Sequence, residues 1–208
     1  MARTRVKICG ITRGEDLESA AGAGADALGF VFYPASPRYL DLDRAAALVG
    51  QVPPFVARVG LFVNAEPSAV AATLARVPID ILQFQGDESP GYCEQFGRAY
   101  LKVARMKPGI DLVESARAYG SARGLLLDAF VDSYGGAGKT FDWSLVPKEV
   151  PMPVIVAGGL TADNVGEAIH RLRPWGVDVS SGVEAAKGIK DARKIAAFMA
   201  AVKIADAN

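Results

Sequence analysis

The 208 residues are 50% hydrophobic, enough to bury one large core and too few for two well-packed domains. Lys plus Arg and Asp plus Glu each number 23, so the formal net charge is zero and no single-sign field is forced on the surface, which argues against nucleic acid as a partner. His170 is the sole histidine and Cys9 and Cys93 the sole cysteines, so no His cluster, CxxC or HExxH is available for a metal, and reduced thiols are expected rather than a disulfide.

The start MARTRVKICG has basic residues but no apolar core of a signal peptide, and no stretch reaches the roughly 18 uninterrupted apolar residues of a membrane span. No membrane association and a cytoplasmic protein are therefore expected. Strand-like segments follow in order: RVKIC at 5–9, DALGFVF at 26–32, FVARVGLFV at 55–63, DILQFQ at 80–85, YLKVARM at 100–106, GLLLDA at 124–129, PVIVAGG at 153–159 and GVDVSS at 176–181. Helix-like patterns lie between them, among them DLDRAAALVGQV, PSAVAATLARV and a short one at PGYCEQFG. Apolar runs of this kind suit strands covered on both faces and joined by right-handed crossovers. Eight such units predict an α/β fold, a single (β/α)8 barrel of the TIM-barrel type spanning residues 1–208, with helices alternating with strands throughout. The tail predicts a closing helix through Ile195, Phe198, Met199 and Val202.

Function in such barrels gathers at the carboxyl ends of the strands. Strand seven runs into AGGL and strand eight into SSGVE, so Gly158, Gly159, Ser180, Ser181 and Gly182 are candidates for binding a phosphate through exposed backbone N–H groups. The same glycines also suit tight turns. No matching pair follows strands three and four, which favours one phosphate over two. GKT at 138–140 imitates a P-loop, but Ser133 stands where the first glycine is required. Gly135, Gly136 and Gly138 better suit a mobile cover over a substrate. Arg38, between proline-restricted stretches, is either a fork for a carboxylate or a solvated loop arginine.

Cys9 and Asp128, at the ends of strands one and six, suit a base and acid pair. Cys9 equally suits a small core residue, as Cys93 does on its helix. A modest electropositive push would yield a thiolate near neutral pH. Strand parity puts Lys7 on the face of Cys9 and Asp178 on that of Ser180, so Lys7 and Asp178 are expected to pair inside the barrel, Lys7 favouring the thiolate and Asp178 compensating the buried ammonium. Simple ion pairing without effect on Cys9 is the other reading.

Together VKICGIT, GFVFYPASPRY, LQFQGDE, LLLDA, YGGAGKTFDW, AGGL with NV, and GVDVSSGVE resemble the phosphoribosylanthranilate isomerase family in order and spacing, over nearly the whole chain. The resemblance implies a cofactor-independent Amadori rearrangement of a phosphorylated small molecule in tryptophan biosynthesis, with Asp128 as general acid, Cys9 as general base, Arg38 on the anthranilate carboxylate, the glycine-bearing loops on the phosphate and Gln83 as a binding residue. Gln85 stands where many family members carry histidine, and glutamine cannot titrate near neutral pH. An isomerase of a histidine-pathway aminoaldose would call for a second phosphate site and an aspartate at the first strand's end, and an indole-forming synthase for an inner lysine acid. A noncatalytic barrel that only binds a phosphorylated ligand is the alternative from another class. Apolar helix positions leave monomer and homodimer both open.

Overall fold

A computed structural model describes residues 3–129 and 140–207. Its strands are β1 (Arg5–Cys9), β2 (Ala27–Val31), β3 (Ala57–Phe62), β4 (Ile81–Phe84), β5 (Ala99–Met106), β6 (Gly124–Ala129), β7 (Val154–Val156) and β8 (Gly176–Val179). They close in sequence order into a barrel in which every neighbour is parallel, β8 returning to β1 with Lys7 opposite Asp178. All eight expected strands are present: β1 and β6 keep their expected bounds, β5 gains Ala99, and the other five are shorter.

Around the barrel lie α1 (Gly14–Gly22), α2 (Leu42–Val49), α3 (Pro67–Arg76), α4 (Pro90–Glu94), α5 (Leu112–Ala118), α6 (Val165–Leu172) and α7 (Ala192–Ala207). Side-chain oxygens of Asp41, Ser89 and Asp111 cap α2, α4 and α5 by accepting from backbone N–H groups that the first turn leaves unpaired. The expected closing helix is α7, which buries Ile195, Phe198, Met199 and Val202. Strict alternation fails once. Among the described residues between β6 and β7 there is only a 3-10 turn, Trp143–Leu145. The segment after it holds Pro147, Pro151 and Pro153, which lack the N–H a helix needs. A short antiparallel hairpin, β9 (Glu184–Ala186) with β10 (Ile189–Lys190), follows β8 and was not foreseen.

Strand parity decides what faces the barrel interior. On β1, Val6 and Ile8 join the core beneath the helices, as do Leu82 and Phe84 on β4 and Val177 and Val179 on β8. On β6, Leu125 and Leu127 pack outward with Met106 and Leu112, while Leu126 turns inward onto Val103, Ile155 and Ala157. The alternate set, Lys7, Cys9, Gln83, Asp128 and Asp178, therefore lines the interior and its upper mouth.

Candidate active site at the barrel mouth

Cys9 ends β1 and is buried. Opposite it in register is Gly29 on β2. A Cβ at position 29 would stand 2.7 Å from Cys9 Sγ and 3.1 Å from Lys7 Cε, so the missing side chain makes the space that the thiol and the lysine occupy. Beneath the thiol, Lys7 Nζ donates to Asp178 Oδ2 at 2.9 Å, both side chains being buried. The parity expectation for this pair holds. Asp178 Oδ1 has no hydrogen-bond partner among the described residues.

Burial pushes the Cys9 thiol above its ordinary value; Lys7 and Lys190 pull it down, and Asp178 pushes it up again. The electropositive push expected on Cys9 is present in Lys7 and Lys190, and burial opposes it. Desolvation outweighs the cations. Burial also raises Asp128, against the opposing pull of its hydrogen bond from Gln85, with Asp178 adding repulsion and Lys7 attraction. A carboxyl so placed tends toward the protonated form.

Asp128 is held at both oxygens. Ala129 N donates to Oδ1 at 2.9 Å and Gln85 Nε2 to Oδ2 at 2.8 Å. Gln83 Nε2 donates in turn to Gln85 Oε1 at 2.8 Å, forming a two-amide chain from the interior of β4 to the carboxyl on β6. With Gln85 Oε1 accepting from Gln83, the NH2 of Gln85 is the group turned toward Asp128. Gln85 thus acts on Asp128 as a hydrogen-bond donor, a part the sequence did not reveal because a contact between β4 and β6 has no local signature.

The two glycine-bearing loops meet. Gly158 and Gly159 take φ of +77° and +63°, and Asn164 braces the turn by donating to Gly159 O at 3.0 Å and accepting from Thr161 N at 2.8 Å. Ser180 precedes the 3-10 turn Ser181–Val183, and a Cβ on Gly182 would collide with the backbone oxygen of Leu160 in the neighbouring loop. Only glycine lets the loops after β7 and β8 pack backbone to backbone here.

Arg38 is neither solvated nor free: its side chain lies over Gly10, and its Nε and Nη2 donate to Glu184 Oε1 and Oε2 at 2.7 and 2.8 Å. Lys190 Nζ donates to the same Glu184 Oε1 at 3.0 Å and to Ser180 O and Oγ at 3.1 and 3.3 Å. Glu184 and Lys190 were missed as site residues; the only sequence trace of them is the SSGVE run and a lysine eight residues past Gly182. Cys93 packs in the core on α4, as expected of a structural cysteine. Gly135, Gly136 and Gly138 lie outside the described residues.

Comparison with known proteins agrees with this geometry. The family model described as N-(5'phosphoribosyl)anthranilate (PRA) isomerase matches residues 6–201. Two similar relatives, both named N-(5'-phosphoribosyl)anthranilate isomerase, come from Dechloromonas aromatica, 60% identical over 98% of each chain, and Leptothrix cholodnii, 57% identical over 100% of this chain and 94% of that one. A crystal structure of phosphoribosyl anthranilate isomerase from Thermotoga maritima is 41% identical, covers 96% of this chain and 98% of its own, and superposes with a TM-score of 0.89. Another phosphoribosyl anthranilate isomerase, solved with reduced 1-(o-carboxyphenylamino)-1-deoxyribulose 5-phosphate, is 38% identical over 96% of this chain and 98% of that one, with a TM-score of 0.86.

Proposed function

This chain belongs to the N-(5'-phosphoribosyl)anthranilate isomerase family, and we propose that Cys9 is the base and Asp128 the acid of its reaction. The enzyme converts N-(5'-phosphoribosyl)anthranilate to 1-(2-carboxyphenylamino)-1-deoxyribulose 5-phosphate in tryptophan biosynthesis. The observation that carries the assignment is that a buried thiol at the end of β1 and a partly buried carboxyl near the end of β6 share the barrel mouth above the buried Lys7–Asp178 pair. Asp128 gives its proton to the furanose ring oxygen, the C1–O bond breaks, and the anilino nitrogen lone pair forms the C=N bond of a Schiff base. The Cys9 thiolate then takes the proton from the second ribose carbon, and the C–H electrons move toward that nitrogen. The enol so formed relaxes to the ketone. Arg38 holds the anthranilate carboxylate, Gln83 contributes to substrate binding, and Gly158, Gly159, Ser180, Ser181 and Gly182 receive the phosphate. Residues 1–208 act as one catalytic domain in the cytoplasm, where a working thiol stays reduced.

The pH dependence tests the pair. Productive enzyme has Asp128 protonated and Cys9 ionised, the same proton count as the reverse arrangement, so kcat/KM rises through the carboxyl titration and falls through that of the thiol. Both limbs are expected above the ordinary carboxyl and thiol values, because burial raises both groups. A profile whose acid limb is unchanged in Asp128→Asn would remove Asp128 from the scheme. Gln85→Leu deletes a donor to Asp128 and should move the acid limb up by roughly half to one pH unit, read from kcat/KM against pH.

A homodimer is the assembly favoured here. Phe55 is 105% exposed at a φ of +68°, on the Pro53–Pro54 turn that leads into β3 at the amino-terminal face of the barrel. An exposed aromatic on a proline-stiffened turn is an unusual surface unless covered. One structurally similar phosphoribosylanthranilate isomerase, from Thermotoga maritima, is described as dimeric. Analytical ultracentrifugation should show dimer for the unaltered chain and monomer for Phe55→Asp.

A further inference from the structure

We infer that Lys190 is a positioning residue of the anion-binding mouth, which keeps the Arg38–Glu184 pair net positive and turns the Ser180 hydroxyl toward the phosphate. The inference rests on the assignment of Arg38 and Ser180 to the substrate's anionic groups. An arginine that gives two donors to one carboxylate forms a formally neutral pair, a poor receiver for a further anion. Here the carboxylate is shared. Glu184 Oε1 takes Arg38 Nε at 2.7 Å, Lys190 Nζ at 3.0 Å and Gly188 N at 3.3 Å. Two buried cations on one carboxylate leave the cluster at plus one, and Lys194 Nζ adds a donor to the Glu184 backbone oxygen at 2.7 Å.

The geometry around Ser180 points the same way. Lys190 donates to both the carbonyl and the hydroxyl of Ser180, so its three N–H groups have acceptors in Ser180 and Glu184. A hydroxyl oxygen that accepts from an ammonium keeps its own O–H for another acceptor and is polarised to donate. The hairpin that carries Lys190 is anchored for this purpose: Lys190 N donates to Asp16 Oδ2 at 3.1 Å and Thr12 Oγ1 donates to Gly188 O. The charged groups near Cys9 are then Lys7 with Asp178 from β1 and β8, Arg38 from the loop after β2, and Glu184 with Lys190 from the hairpin; Gly29 on β2 adds none. The first pair cancels. The second cluster supplies the excess positive charge.

Three variants, Lys190→Met, Lys190→Arg and Glu184→Gln/Lys190→Met, separate this from a merely structural part. In Lys190→Met, KM should rise roughly tenfold or more, with kcat changed much less, and inorganic phosphate should inhibit correspondingly more weakly. The pH midpoint of Cys9 alkylation, read in a Cys93→Ala background, should move up. Lys190→Arg should recover most of both losses, and so should the double variant, because removing the glutamate charge restores plus one. Unchanged KM and alkylation midpoint in folded Lys190→Met would overturn the inference. So would a double variant whose losses add. If Lys190→Met does not fold, the double variant and Lys190→Arg decide by the same two measurements. The acid and base assignments would fail differently, through intact kcat in Cys9→Ser or Asp128→Asn.

Discussion

Asp128→Asn and Cys9→Ser are each expected to lower kcat by roughly 10²- to 10⁴-fold, the range over which positioned acid and base groups act. Asparagine is nearly isosteric, and its carbonyl can still accept from Ala129 N or from Gln85 Nε2, so the two-amide chain from Gln83 survives while the transferable proton does not. Serine fits the space that Gly29 leaves for Cys9, but its hydroxyl does not ionise near neutral pH. Both leave Gly158, Gly159, Ser180 and Gly182 in place; Asp128 Oδ1 lies beside Gly158, where asparagine has nearly the same bulk. Steady-state turnover together with inhibition by inorganic phosphate checks both halves: kcat should collapse while phosphate inhibition stays within about twofold. Near-normal turnover in either variant would end the acid and base assignment. The double variant should lose little beyond the worse single one, since the two groups act on one proton inventory.

Lys7→Met should destabilise the fold by about 3–5 kcal/mol, because it leaves Asp178 charged and buried without a counterion. Among the described residues one Asp178 oxygen already has no partner, so the loss of Lys7 strips the other as well. Denaturant unfolding measures this, and Lys7→Met/Asp178→Leu should recover most of the stability, since replacing both ends of a buried pair with apolar groups removes two desolvation penalties. The same single variant reports on catalysis. Lys7 pulls the Cys9 thiol down, so its removal should push the alkylation midpoint higher; a midpoint that stays put would reduce Lys7 to a structural ion-pair partner. The upward direction follows from which form is charged: Lys7 stabilises the thiolate, and without it the thiol is retained to higher pH.

Most of the architecture was legible along the chain because its signals are local. Eight apolar strands separated by helical patterns leave few closed solutions, and two-residue periodicity was enough to put Lys7 with Cys9 and Asp178 with Ser180 and to pair Lys7 with Asp178. Where local signals were silent or misleading, the reading departed from the structure. Among the described residues between β6 and β7, a proline-bearing segment and a 3-10 turn stand where a helix was expected. At Cys9 the upward push of burial, which has no local signature, stands against the downward pull of Lys7 and Lys190.

Residue types and their order along the chain thus settled the fold and put a thiol and a carboxyl at the ends of two of its strands. What they did not contain is the partner of each group. That Arg38 shares Glu184 with Lys190, that Gln85 hands a donor to Asp128, and that Gly182 lies on Leu160 all depend on barrel closure bringing together positions 146, 43 and 22 residues apart. Charge balance at a buried site is a sum over such distant neighbours, each weighted by distance and by exclusion of water, and neither weight exists until the chain has folded.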